Sequence, residues 1–101
     1  MEIIAKITNI GAITERKYTN NQTGMEDTFK TLGLTLQRGD DWIYAEAVQE
    51  LATKIVEMQT QNDMQGGLVF VRISSTIRTF KDKNNVERYR TEHRVNTIVP
   101  L

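Results

Sequence analysis

VFVRISSTIRTFKDKNNVERYRTEHRV, residues Val69 to Val95, alternates in the manner of an extended chain. Odd positions Val69, Val71, Ile73 and Ile77 are apolar, while even positions carry Arg72, Ser74, Thr76, Arg78 and Phe80, the period-two pattern of a half-buried strand. Beyond the polar centre Asp82-Lys83-Asn84-Asn85 the pattern resumes, with Tyr89, Val95 and Val99 on odd positions and Arg88, Arg90 and Arg94 on even ones. The segment predicts a β-hairpin with one oily face and one basic face, the latter holding five arginines and Phe80. For the two oily faces to coincide, the connection must hold an odd number of residues or a bulge, because a two-residue Asn84-Asn85 turn would flip one strand. The pattern favours a bulge or a three-residue loop. An ordinary solvated strand also presents a charged outer face, so the rest of the chain must decide what this one is for.

Outward from the hairpin, the chain is short. Its 101 residues suffice for one core and so for a single domain spanning residues 1–101. With 39% hydrophobic and 26% charged residues the composition is that of a globular domain, and no apolar run is long enough to span a membrane. Cysteine is absent, which excludes disulfides, thiolate chemistry and cysteine zinc sites. Met1 to Lys6 lacks the pattern of a secretory leader, and a cytoplasmic location is the expectation. Formal net charge is zero, but residues 1–65 hold six Lys/Arg against ten Asp/Glu and residues 66–101 hold seven against three. This segregation allows a local basic surface on a neutral protein.

Before the hairpin, Ile3, Ala5 and Ile7 alternate with Glu2, Lys6 and Thr8 in a first strand that reaches a bend near Gly11, with an extended piece from Ile13 to Thr19. Asn20 to Asp27 is polar and unpatterned, which predicts a loop. Leu32, Leu34 and Leu36 mark the next strand, a turn falls at Arg38 to Asp41, and Trp42 to Ala47 returns with Ile43, Ala45 and Ala47 opposite Trp42, Tyr44 and Glu46. From Val48 the period becomes helical through Leu51, Ala52, Ile55 and Met58, with Gly66-Gly67 as the stop. Met58 and Met64 read as core filler. Three strands, a helix and two strands are the order of the all-β OB-fold, a five-stranded Greek-key barrel with one α-helix between its third and fourth strands, which binds oligonucleotides or sugars. An open sheet with one helix is the alternative.

Four stretches carry a family resemblance: Asn9-Ile10-Gly11 with Glu15 and Tyr18-Thr19; Trp42 followed by Leu51-Ala52; VFVRISSTIRTFKD, which places Phe80 on an aromatic position; and Arg88-Tyr89 with Thr91 and Glu92. In these the chain resembles the bacterial single-stranded DNA-binding protein family across nearly its whole length. The resemblance implies an OB-fold that binds single-stranded DNA without strong sequence preference in replication, recombination or repair, as a homo-oligomer, tetramer or dimer. Thr14 departs from a usual proline, Val48 stands where a second stacking aromatic is frequent, and a tryptophan near Gly39 is missing, so the stacking platform is thinner. The sequence stops at Leu101 without the family's acidic tail, which suggests a short form or a longer protein cut at this point. Primosomal replication protein N, a dimeric OB-fold protein of similar length, is the nearest alternative, and a protein-interaction OB module is another.

Binding a single strand requires aromatic faces, worth about 1–3 kcal/mol per stacked base, and cations for the phosphates. Trp42, Tyr44 and Phe80 are the candidate platforms; Arg72, Arg78, Arg88, Arg90 and Arg94 are the candidate cations, with Lys81 and Lys83 at the hairpin tip. Phe29 could stack or plug the barrel end, and Tyr89 falls on the oily side as a core residue. Glu46 shares the face of Trp42 and Tyr44, where a carboxylate does not suit a polyanion. Catalytic groups are few. The lone histidine, His93, reads as structural, and Asp40, Asp41, Glu26 and Asp27 read as solvated turn formers, although such carboxylates can hold Mg²⁺. With no glycine-rich phosphate cradle ahead of the helix, no enzymatic activity, metal or cofactor is expected.

Overall fold

The buried side chains of the hairpin and of the strands before it form one apolar core, in which no polar or charged residue is buried. The computed structural model describes residues 1–101. In chain order the elements are β1 (Glu2–Ile10), β2 (Thr14–Thr19), β3 (Glu26–Arg38), β4 (Asp41–Val48), α1 (Glu50–Gln61), β5 (Leu68–Lys81) and β6 (Glu87–Pro100). They build one sheet in the order β1-β5-β6-β4-β3-β2, and an additional antiparallel pairing of β1 with β3 curls the sheet back on itself. No helix is long and apolar enough to cross a membrane.

Where the pattern predicts five strands, there are six. The chain breaks after β1 at Gly11, whose N–H donates to the Gly33 carbonyl at 2.9 Å, and a Cβ at Gly11 would stand 3.3 Å from that same oxygen. Only glycine lets the backbones approach this closely without a neighbour moving. Thr14–Thr19 then runs as a separate strand along the outer edge of β3, from Thr14 opposite Thr31 to Thr19 opposite Glu26. Because all six of its residues are exposed, it carries no apolar alternation. This pairing also extends β3 back to Glu26, so the loop is shorter than the polar composition of Asn20 to Asp27 suggests.

The helix begins later and ends earlier than its apolar spacing predicts. Val48 remains in β4 opposite Thr31, and α1 starts at Glu50, burying Ala52 and Ile55 against the sheet. It ends at Gln61 because Asn62 turns extended, and Met64 then tucks into the core. Gly66-Gly67 is a joint rather than a helix stop: Gly66 donates its N–H to Ile7 O at 2.7 Å and Gly67 O accepts from Ile7 N at 2.9 Å. Gly66 holds φ at 85°, a left-handed value that favours glycine.

The hairpin connection holds five residues, Asp82 to Val86, an odd number that keeps both oily faces together. Asp82 organises it, its carboxylate accepting from the N–H groups of Asn84 and Val86 at 2.9 and 3.0 Å and from Arg88 at 3.0 Å. The Val86 N–H and then Arg88 lower the Asp82 pKa from its ordinary value. At the other end, Arg72 stands opposite Thr97 but Ile73 opposite Val95, so Asn96 is an extra residue that reverses the parity of β6. Ile98 is therefore buried and Val99 exposed, the opposite of the simple odd-even reading.

A larger departure lies beyond Ile73. Every residue from Ser74 to Lys81 and from Glu87 to Thr91 is exposed, so the outer part of the hairpin is an arm of about 26 Å that rests on no core. Tyr89 and Ile77, on the core-side parity, are 68% and 69% exposed. Tyr89 is thus not a core residue.

Candidate nucleic-acid interface

A concave groove runs between the outer face of β2, β3 and β4 and the basic face of the arm. Its floor is β3 and β4, with Phe29, Thr31, Tyr44, Glu46 and Val48; its walls are Thr14, Glu15 and Arg16 of β2 and Arg78, Arg90, Glu92 and Arg94 of the arm and its root. At one end it continues past Asn9, Gly11 and Gly33. The wall and floor meet at a parallel pairing of β4 with β6 that consists of one register pair, Glu46 opposite Arg94. Glu46, unaccountable on the face of Trp42 and Tyr44 alone, therefore has an arginine as its cross-strand neighbour.

Tyr44, 59% exposed, is held by what lies beneath it. A Cβ on Gly33 would strike the Tyr44 hydroxyl and come within 2.7 Å of its ring, so the outer end of the ring sits directly over bare backbone at the groove floor. Gly33→Ala is expected to lift the ring off the sheet, read as loss of nuclear Overhauser contacts between the Tyr44 ring and residue 33, with little change in melting temperature because the ring is exposed.

The arm carries the most organised charge. Arg78 and Arg90 face each other across β5 and β6, and Glu92 joins them: Arg78 Nε donates to Oε2 at 2.6 Å and Arg90 Nη2 approaches Oε1 at 2.8 Å. Desolvation opposes ionisation of Glu92, but the hydrogen bond and charge of Arg78, then those of Arg90, outweigh it and lower the pKa. The Arg90 guanidinium lies 5.8 Å from the centre of the Phe80 ring, a cation–π distance that holds the ring, 44% exposed, at the surface. His93 bonds Ser75 Oγ through Nδ1 at 2.8 Å, a structural link at the root of the arm.

The strand order, with six strands and one helix, is consistent with an OB-fold. No protein-family model and no curated protein sequence matches the chain. In three dimensions all of it superposes on 92% of a mitochondrial single-stranded DNA binding protein from S. cerevisiae, with a TM-score of 0.55 at 14% sequence identity. The likeness is one of fold.

On this frame the expected site residues separate into groups. Tyr44, Arg78, Arg90 and Arg94 line the groove, and Arg94 alone among these arginines forms no ion pair. Phe80, Lys81, Lys83 and Arg88 sit at the outer end of the arm, where Arg88 is paired with Asp82 at 3.0 Å. Trp42, 61% exposed, shares the outward side of Tyr44 but stands beside the Gly39-Asp40 turn, outside the groove. Arg72 is not with the others. It lies on the far side of the Asn96 bulge, bound to Glu2 at 3.0 Å, and lines no part of the groove. The groove adds Arg16 and takes in Phe29, which the sequence leaves between stacking and plugging the barrel end; the two are cross-strand partners between β2 and β3. Their juxtaposition depends on a register that polar, non-alternating Thr14 to Thr19 does not reveal.

Proposed function

We propose that this chain binds single-stranded DNA along the groove, with no strong sequence preference and no catalysis, and that it does so as an OB-fold barrel built from β1, β3, β4, β5 and β6 with β2 as an appended edge. The observation that carries this is the placement of Tyr44 and Phe29 on a floor flanked by four arginines, Arg16, Arg78, Arg90 and Arg94. Flat rings accept bases of any sequence and guanidiniums take the phosphates. Fold similarity to a protein that binds single-stranded DNA supports it. The same reading places the protein in the cytoplasm and in replication, recombination or repair.

A homo-oligomer fits the outer face of the β1–β5–β6 wall. Ile4, Phe70 and Val99 are successive cross-strand neighbours on the outer face of β1, β5 and β6, with Leu68 and Leu101 alongside, and all but the half-buried Phe70 are exposed. A contiguous apolar face of this kind is what a second copy would cover. A protein-interaction role is the second reading, favoured by Glu15, Glu46 and Glu92, which offset most of the groove's positive charge.

Titration of the lone Trp42 with oligo(dT) tests the proposal: its emission is expected to be quenched as the strand crosses β4, with duplex DNA far less effective. Log K should fall with log[salt] by about 0.7 for each phosphate neutralised, and Arg94→Gln, which removes an unpaired guanidinium, should flatten the slope by about that amount. No binding at low salt, or an affinity indifferent to salt, would replace this reading with the protein-interaction one.

A further inference from the structure

We propose that Arg78 and Arg90 form a phosphodiester site whose resting occupant is Glu92, and that a bound strand works by displacing that carboxylate. The proposal rests on the single-strand reading of the groove and identifies where one phosphate goes and what it must push aside. Arg78 and Arg90 occupy directly opposed positions on β5 and β6, an arrangement of like charges that a sheet does not favour by itself. Glu92, two residues on from Arg90 and on the same side of the ribbon, gives one oxygen to each: Oε2 to Arg78 Nε at 2.6 Å, and Oε1 to Arg90 Nε and Nη2 at 3.1 and 2.8 Å. The carboxylate thus bridges the two guanidiniums as a singly charged, two-oxygen anion. A phosphodiester offers the same charge and the same pair of acceptors, and guanidinium groups bind both through parallel N–H donors.

Three further facts suit exchange rather than permanent pairing. All three side chains line the groove, so the site opens where a strand would lie. They belong to the arm and its root, where Arg78 and Arg90 are well exposed, and exposed ion pairs are weak enough to be broken by a competing anion. One register pair further out on the same face, Phe80 stands opposite Arg88 with Arg90 over its ring, which places a stacking surface next to the phosphate position. In the free protein Glu92 keeps two long, flexible arginines gathered and their charges partly cancelled. On binding it leaves, and its departure subtracts from affinity.

The test is the affinity of full-length variants for oligo(dT), with circular dichroism to check folding. Glu92→Gln keeps the shape and removes the competing charge, and it is expected to tighten binding about three- to tenfold at low salt, the sum of two exposed ion pairs, while steepening the salt slope by about 0.7. Glu92→Asp, one methylene too short to hold both guanidiniums, should change affinity in the same direction. The gain from Glu92→Gln must vanish when Arg78 and Arg90 are both glutamine. An unchanged or weaker Glu92→Gln, or an equal gain in the double-glutamine background, overturns the displaced-carboxylate site while leaving single-strand binding intact. If wild type and variants alike fail to bind oligo(dT), both proposals fall. Inorganic phosphate at matched ionic strength that shifts the Arg78 and Arg90 Nε–H resonances to saturation would instead assign the site to free phosphate and overturn its assignment to the strand.

Discussion

Ile73→Ala should lose about 2–5 kcal/mol of stability, whereas Ile77→Ala, four residues along the same strand and on the same parity, should stay within about 0.5 kcal/mol of wild type. Ile73 is 2% exposed where β5 leaves the core, and Ile77 is 69% exposed on the arm. Removing the first leaves a cavity among Val71, Val95 and their neighbours, while removing the second takes away surface that water already reaches. Chemical denaturation of the two variants measures the difference. Comparable losses at both positions would mean that the arm folds down onto the protein in solution.

Tyr44→Ala and Phe80→Ala should each weaken oligo(dT) binding by about 1–3 kcal/mol, the value of one stacked base, with melting temperatures nearly unchanged. Tyr44 is exposed on the groove floor, and Phe80 is fixed at the surface by Arg90. Since neither is buried, the stability cost of about 3–5 kcal/mol seen when a core phenylalanine is truncated should not appear. Titration calorimetry and thermal melting on the same samples decide it. A destabilised Phe80→Ala protein with normal affinity would remove the arm tip from the binding surface.

These two results also mark what the amino-acid sequence discloses. Alternation at Ile3, Ala5 and Ile7, at Leu32, Leu34 and Leu36, and at Val69, Val71 and Ile73 foretells strands that do bury those residues, because period two needs only local geometry. Parity assigns a side chain to a face, but whether anything packs against that face depends on where the rest of the chain ends. Tyr89 and Ile77 therefore follow the core pattern and remain in solvent. Asn96 shows the other limit: one extra residue reverses everything after it, and nothing in Arg94-Val95-Asn96-Thr97 announces the bulge. Among the site residues, Tyr44, Arg78, Arg90 and Arg94 share the groove as their alternation suggests. Arg72 does not, since it lies across the bulge and is bound to Glu2, seventy residues earlier in the chain. Arg16 enters only through a register that six exposed residues conceal, and the same register sets it beside Phe29, for which the sequence offers both stacking and plugging the barrel end.

The Glu46–Arg94 pair has a mechanical meaning. Every other junction in the sheet is a ladder of several residues, but β4 and β6 are joined by a single rung. Local opening proceeds where the fewest hydrogen bonds must break together, so this seam is where the wall of strands should part first, exposing its amides to exchange ahead of the ladders on either side. Because the seam lies under the groove, a ligand that spans from Tyr44 to Arg90 touches both lips at once and acts as a suture. Occupancy would then slow exchange at residues 46 and 94 beyond what added global stability alone provides, giving a reporter of binding that needs no labelled ligand.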